Sequence, residues 1–184
     1  MEEQITDGRR RKGERRRRQL LDATMRLIER DGLPAVSQRS VAQEAGVPAS
    51  AVTYYFPTVD DLLVTALTAC NQEYLRCLDE CASAEDPIGR LAALITNSAS
   101  SRRVQAAAEC ELFLMAARRA DLRPEAARWT NAVDAYLAPY IVDPVRRAGA
   151  VAAVDGLFLR CLSDPIPPDS DAVLAILETL IRPC

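Results

Sequence analysis

The chain has 184 residues, 49% of them apolar and 27% charged, with a net charge of −3, which suits one globular domain or a small domain fused to a larger one. No uncharged apolar run reaches the ~18 residues of a membrane span, and the charged N-terminus lacks the apolar stretch of a secretory signal, so a cytoplasmic protein with no membrane partner is expected. Histidine is absent and the cysteines fall mostly inside helical patterns, so reduced thiols acting as small hydrophobes are expected, with no metal and no cofactor.

Charge is unevenly spread. Residues 1–56 hold 11 Lys and Arg against 8 Asp and Glu, net +3, whereas residues 57–184 hold 12 against 18, net −6. Eight cations crowd GRRRKGERRRRQ, residues 8–19, among them Arg15, Arg16, Arg17 and Arg18. Residues 1–14 are expected to be a flexible basic arm. Because the run directly precedes a helix-turn-helix pattern, phosphate binding is its expected role.

Nearly every segment has helical periodicity, and β-branched alternation is absent. The first helix is predicted from about 15 to 30, with Leu20, Leu21, Ala23, Leu27 and Ile28 on its apolar face and Asp31-Gly32 as its stop. A second runs from the N-cap candidate Ser37 to Gly46. A short third covers about 48–55, with Pro48 suited to its first turn. Thr58 can cap a long helix to about 83, whose stripe includes Leu63, Leu67, Cys70, Tyr74, Cys77 and Cys81. Further helices are predicted over about 86–98, 101–119, 124–140, 143–162 and 171–182. The fold class is therefore all-α with about nine helices. A three-helix unit over 15–57 precedes a larger helical region over 58–184.

The stretch SQRSVAQEAGVPASAVTYYF, Ser37–Phe56, has helix-turn-helix spacing. Counted from Gln38, Ala42 is fifth, Gly46 ninth and Val52 fifteenth. A small residue at 42 lets the next helix approach. Gly46 permits a positive φ in the turn. Val52 packs inward and sets the crossing angle.

Residues Gln19–Leu63, QLLDATMRLIERDGLPAVSQRSVAQEAGVPASAVTYYFPTVDDLL, resemble the TetR family of transcriptional regulators. The shared pattern is an apolar first helix, a Gly, a Ser cap, an AGV turn, a short helix ending in aromatic-aromatic-Phe, and an acidic LL helix start. AAECELFLMAARRADLRPE (107–125) and VAAVDGLFLRCL (151–162) are similar to stretches in many members. The resemblance implies DNA binding for the three-helix unit over 15–57 and ligand binding with dimerisation for the region over 58–184, and that the third helix enters the major groove. Ala49, Ser50, Ala51, Thr53 and Tyr54 then face DNA. Ser37, Gln38, Arg39 and Thr58 lie beside phosphate or a base edge, and Arg39 is suited to bidentate contact with guanine. The family often has Gly near Ser50, Tyr at Thr53 and Lys at Val59. With that Tyr and Lys missing, the arginines at 9–18 are expected to supply backbone or minor-groove contacts.

The larger domain is then expected to bind an effector and to form a homodimer through its last two helices. Ala148, Gly149, Ala150, Ala152, Ala153 and Gly156 permit close packing, and the last helix carries an apolar stripe. Candidate ligand contacts are Tyr74, Phe113, Met115, Trp129, Val133, Tyr136 and Phe158, with Glu109 or Glu111 as a polar anchor. Trp129, Val133, Tyr136 and Tyr140 form the most suggestive group. The expected function is a repressor that binds a palindromic double-stranded operator as a dimer and is released by an unidentified small molecule. One alternative is a cysteine-based redox regulator. The other is an enzyme, disfavoured because no histidine base, nucleophile elbow or phosphate loop is present.

Overall fold

The computed structural model describes residues 2–182, with side chains from residue 11 onward. The chain divides into two compact units, Met1–Leu67 and Thr68–Cys184. The first contains α1 (Glu2–Asp31), a 3-10 turn (Leu33–Ala35), α2 (Gln38–Ala45), α3 (Ala49–Tyr55) and the beginning of α4 (Val59–Ala82). The second contains the rest of α4, α5 (Pro87–Asn97), α6 (Arg103–Met115), a 3-10 turn (Ala120–Leu122), α7 (Arg123–Leu137), α8 (Pro144–Ser163) and α9 (Ser170–Ile181). Among the described residues there are nine α-helices and no strand.

Short polar side chains set most helix starts. The Ser37 hydroxyl accepts from the Ser40 amide at 3.0 Å, and the Ser40 hydroxyl accepts from the Ser37 amide at 2.9 Å. This is a reciprocal capping box built from two serines. Thr58 and Asp61 repeat it at α4, with both amide contacts at 3.0 Å. Asp86, Asp143 and Asp169 cap α5, α8 and α9 by accepting from backbone amides. α2 ends at Gly46 in the left-handed region, φ 66°, with the Val47 amide donating to the Ala42 carbonyl at 2.9 Å. An L side chain is strained in that backbone.

In the first unit, α1 packs on α2 and α2 on α3. Leu20, Ala23, Leu27 and Ile28 of α1 are buried, as are Val41, Ala42 and Ala45 of α2, Val52 of α3, and Phe56. In the second, α8 contacts α5, α6, α7 and α9, and α5 packs closely on α9. Leu91, Ile95, Val133, Leu137, Val154, Leu157, Val173 and Leu177 form the centre of its core.

Several boundaries differ from expectation. α1 begins at Glu2 rather than near 15, so the residues expected to be a flexible arm are helical. Arg, Lys and Glu are good helix formers, and the first proline is Pro34. Apolar periodicity starts only at Leu20, so it carries no sign of the extension. Pro48 occupies the N-cap of α3, not its first turn. α6 is shorter than predicted at both ends, because residues 98–102 and 116–119 turn instead. Neither 3-10 turn is predicted by periodicity, since three residues carry no period. The unit boundary falls after Leu67, inside α4, whereas a helix start at 58 suggests a division there.

Gly46→Ala and Ser37→Ala should each cost about 1 kcal/mol, through left-handed strain and removal of a cap respectively. Urea unfolding of the full chain checks this; a Gly46→Ala midpoint equal to wild type would mean the turn does not constrain α2.

Candidate nucleic-acid interface and small-molecule site

α3 is only 7 residues long, far below the length at which a helix is stable alone in water. Its inner side is anchored by Val52, which is fully buried, and its exit by Phe56, which is 1% exposed. The Gln38 amide nitrogen donates to the Phe56 carbonyl at 2.9 Å and the Pro57 carbonyl at 2.8 Å. Gln38 Oε1 in turn accepts from the Thr53 hydroxyl at 3.3 Å. Gln38 thus clamps the start of α2 to the end of α3. Its hydrogen-bonding capacity, and part of that of Thr53, is spent inside the protein.

The opposite side of α3 is open. Ala49, Ser50, Thr53 and Tyr54 are exposed, and Ala51 is half-buried. Tyr54 is 80% exposed and meets Tyr55 edge-on at 5.0 Å between ring centres. Arg39 is exposed and makes no hydrogen bond or ion pair with any described residue. Ser37 and Thr58 are also exposed, but their hydroxyls are engaged as helix caps.

The α1 arginines divide into two kinds. Arg17 donates to the Thr65 hydroxyl at 3.2 Å, and its guanidinium lies 5.1 Å from the centre of the Phe56 ring. It is therefore a cation–π strut within the unit. Lys12, Arg15, Arg16 and Arg18 line a surface groove with Gln19, Asp22 and Arg26. Arg16 also donates to Gln19 at 2.9 Å, while Gln19 reaches the Ala45 carbonyl at 2.8 Å. Arg26 and then Arg30 hold the Glu44 carboxyl below its usual range. Those two cations are committed to tying α1 to α2.

In the second unit, four of the ligand candidates come together. Tyr74 of α4 and Trp129 of α7 stack at 3.7 Å with a 16° interplanar angle. Phe158 of α8 meets both edge-on, at 5.8 and 5.5 Å, and Phe113 of α6 is 6.3 Å from Trp129. The Trp129 indole N–H donates to Asp155 Oδ1 at 2.9 Å. Burial pushes the Asp155 carboxyl up, partly offset by that bond. Burial, followed by the charge of Asp155, pushes the Tyr74 hydroxyl well above its usual range. That hydroxyl is buried and has no hydrogen-bond partner.

Val133 and Tyr136 share the core cluster with Tyr74, against which Trp129 and Phe158 pack, and the Tyr136 hydroxyl donates to the Pro87 carbonyl at 2.7 Å. Glu109 accepts from Gln105 at 2.9 Å and Arg102 at 3.3 Å. The ring neighbours of Trp129 come from three other helices. Sequence reasoning missed Asp155. The signal was present, since it is the one acid in the otherwise apolar run VAAVDGLF, and a carboxylate in such surroundings needs a partner. It also missed Asn71, 2% exposed, whose amide donates to the Glu125 carbonyl at 2.7 Å and carboxylate at 3.0 Å.

Burial raises the thiols of Cys77, Cys81, Cys110 and Cys161. This disfavours the thiolate that a redox switch needs. Arg76 pairs with Glu73 and Glu80, so its charge is already met. No helix among the described residues is long and apolar enough to cross a membrane.

Residues 20–66 match the family model for bacterial regulatory proteins of the tetR family, and residues 82–183 match that for the tetracyclin repressor-like C-terminal domain. The transcriptional regulator BetI of Brucella canis is 27% identical over 177 residues, covering 90% of this chain and 89% of that one. Among solved structures, a TetR family member from Streptomyces coelicolor (SCO1917) is 36% identical with TM-score 0.81, covering 91% of this chain and 99% of its own. The multidrug binding protein EbrR in complex with ethidium is 36% identical with TM-score 0.77, covering 90% and 97%. Residues 20–66 and 82–183 both match models of one family, and the protein belongs to the TetR family of helix-turn-helix transcriptional regulators.

Proposed function

We propose that the protein binds a palindromic operator as a homodimer, reads it with the open side of α3, and is released by an aromatic small molecule held in the second unit. The observation that carries this reading is the two-sided character of α3: one side locked by Val52, Phe56 and Gln38, the other exposing methyls, hydroxyls and Tyr54. Small side chains allow close approach to base pairs. Ala49 can meet thymine methyls, Ser50 and Tyr54 can bond phosphates or base edges, and the unpaired Arg39 can fork onto guanine. Arg15, Arg16 and Arg18 supply the phosphate charge that α3 lacks.

Dimerisation is supported by α8. Val145, Ala148, Gly149, Ala152, Gly156 and Leu159 are exposed at spacings of three and four. A Cβ added at Gly149 or Gly156 would meet no atom of the chain within 4 Å, so packing within one protomer does not account for glycine there. The apolar stripe of α9 is mostly used inside the chain, with Val173 and Leu177 buried and Ile176, Leu180 and Ile181 packed against the core. Its exposed residues include Asp171, Ala172, Ala175, Glu178 and Thr179.

The ligand reading rests on the Tyr74–Trp129–Phe158 cluster and on the EbrR structures, which hold imidazole, ethidium, malachite green and proflavin. α4, whose residues belong to both units, is the covalent route between the ligand site and the reading head.

A gel shift on the promoter regions beside its own gene tests the central claim; no specific shift at moderate salt by a folded dimer would reject it. Arg39→Ala should cost about 1–3 kcal/mol of operator binding and relax specificity at one base. Replacing Arg15 and Arg18 with Ala should weaken all sequences alike and lower the salt slope by roughly one for each phosphate no longer neutralised. Gly156→Leu should leave the protomer folded but shift sedimentation from dimer toward monomer.

A further inference from the structure

We propose that Thr53 sets operator specificity with its γ-methyl group and not with its hydroxyl, that the base it selects is a thymine, and that Gln38 is the positioning residue that enforces this choice. The inference rests on the reading that the open side of α3 faces the operator. It adds which base one residue of that side selects, and why.

Hydrogen-bond chemistry fixes the direction of every proton around Gln38. The Phe56 and Pro57 carbonyls only accept, so the end of Gln38 that meets them at 2.9 and 2.8 Å is its amide nitrogen. The other end, Oε1, is thereby turned toward Thr53, whose hydroxyl lies 3.3 Å away. Oε1 carries no proton, so the hydroxyl must donate. The second group within reach of that hydroxyl, the Ala49 carbonyl at 3.3 Å, is also an acceptor. The single hydroxyl proton of Thr53 is therefore committed inside the protein, whichever of the two receives it.

Thr53 is nonetheless exposed. A threonine carries two γ substituents on a stiff χ1 torsion. With the oxygen turned back toward Gln38 and the preceding turn, the methyl is what the residue offers outward. Ala49, four residues earlier and also exposed, lies on the same face and adds a second methyl. In the major groove thymine presents a methyl of its own, and apolar contact with it is the readout open to such a group. Guanine presents only acceptors there, N7 and O6. A hydroxyl that has already given its proton leaves them unmet. One side chain thus favours thymine and disfavours guanine. Released from Gln38, the same hydroxyl is free to turn outward and donate to guanine.

The test uses the full chain and a duplex DNA library of random sequence, selected by binding and then sequenced. Wild type and Thr53→Val should enrich the same half-site, with thymine at one position. Thr53→Ser, which keeps the hydroxyl and loses the methyl, should show no preference for thymine there. The enriched duplex is then synthesised with deoxyuridine, which lacks the methyl, at that position. Wild type and Thr53→Val should bind it about fourfold more weakly for each half-site changed, the worth of burying one methyl group, and Thr53→Ser should change less than about twofold. Gln38→Ala should accept guanine at that position as readily as thymine, and adding Thr53→Val to it should restore the thymine preference. A merely structural loss would instead weaken all sequences alike.

A half-site enriched by wild type in which Thr53→Ser alters no thymine would overturn the inference, while leaving α3 as the reading helix. Loss of the thymine preference in Thr53→Val would make the hydroxyl the reader and overturn it as well. A folded Gln38→Ala that still rejects guanine would overturn the role of Gln38. If Gln38→Ala does not fold, the two Thr53 variants, which change an exposed side chain, decide the methyl readout. No enrichment of any sequence by a folded wild-type dimer would overturn the operator reading itself, and this inference with it.

Discussion

A seven-residue helix in water loses more by ordering its backbone than its few hydrogen bonds return, so α3 exists only because its surroundings hold it. The decisive contact is Gln38. Its amide donates to two successive carbonyls at the exit of α3 and its oxygen accepts from Thr53. Val52 and Phe56 fix the buried side. With its exit and one face held, the remaining face needs no residue of its own for stability. That is what leaves it free to carry methyls, hydroxyls and an exposed tyrosine.

The same economy governs the arginines of α1. Arg17 sits against the Phe56 ring and Thr65, and Arg26 and Arg30 hold Glu44 on α2. These cations position the reading head. Arg15, Arg16 and Arg18 share a surface groove with Lys12. A run that reads as uniform in sequence is thus partitioned by the helix into structural and available cations, because successive residues point about 100° apart around the axis.

The second unit contains a different kind of tension. Its core is apolar and well filled, yet Asp155 and the Tyr74 hydroxyl lie in or beside it with less polar partnership than burial demands. Buried polar groups in stable proteins are normally satisfied. Among the described residues the Tyr74 hydroxyl is the one buried side-chain polar atom without a partner. The thiols of this unit show the contrast: Cys81 and Cys161 are buried, and burial raises both, so they serve as core volume.

By itself the sequence determined the all-helical class, the helix-turn-helix spacing and the family, because these rest on local signals: apolar periodicity, the Ser37 and Thr58 caps, and a glycine at 46 where only a left-handed turn fits. It also marked Tyr74, Trp129, Phe113 and Phe158 as aromatic candidates, but not as neighbours. Only the tertiary structure decided that these four meet, that Asp155 joins them, and that Val133 and Tyr136 share a core with Tyr74. It likewise decided that Gln38 is spent on α3 and Arg17 on Phe56. The physical reason is distance along the chain. A cap or a turn is settled within about four residues, whereas Trp129 finds Asp155 26 residues away and Gln38 finds Phe56 18 away, and no periodicity within a single helix encodes which face of another helix it will meet.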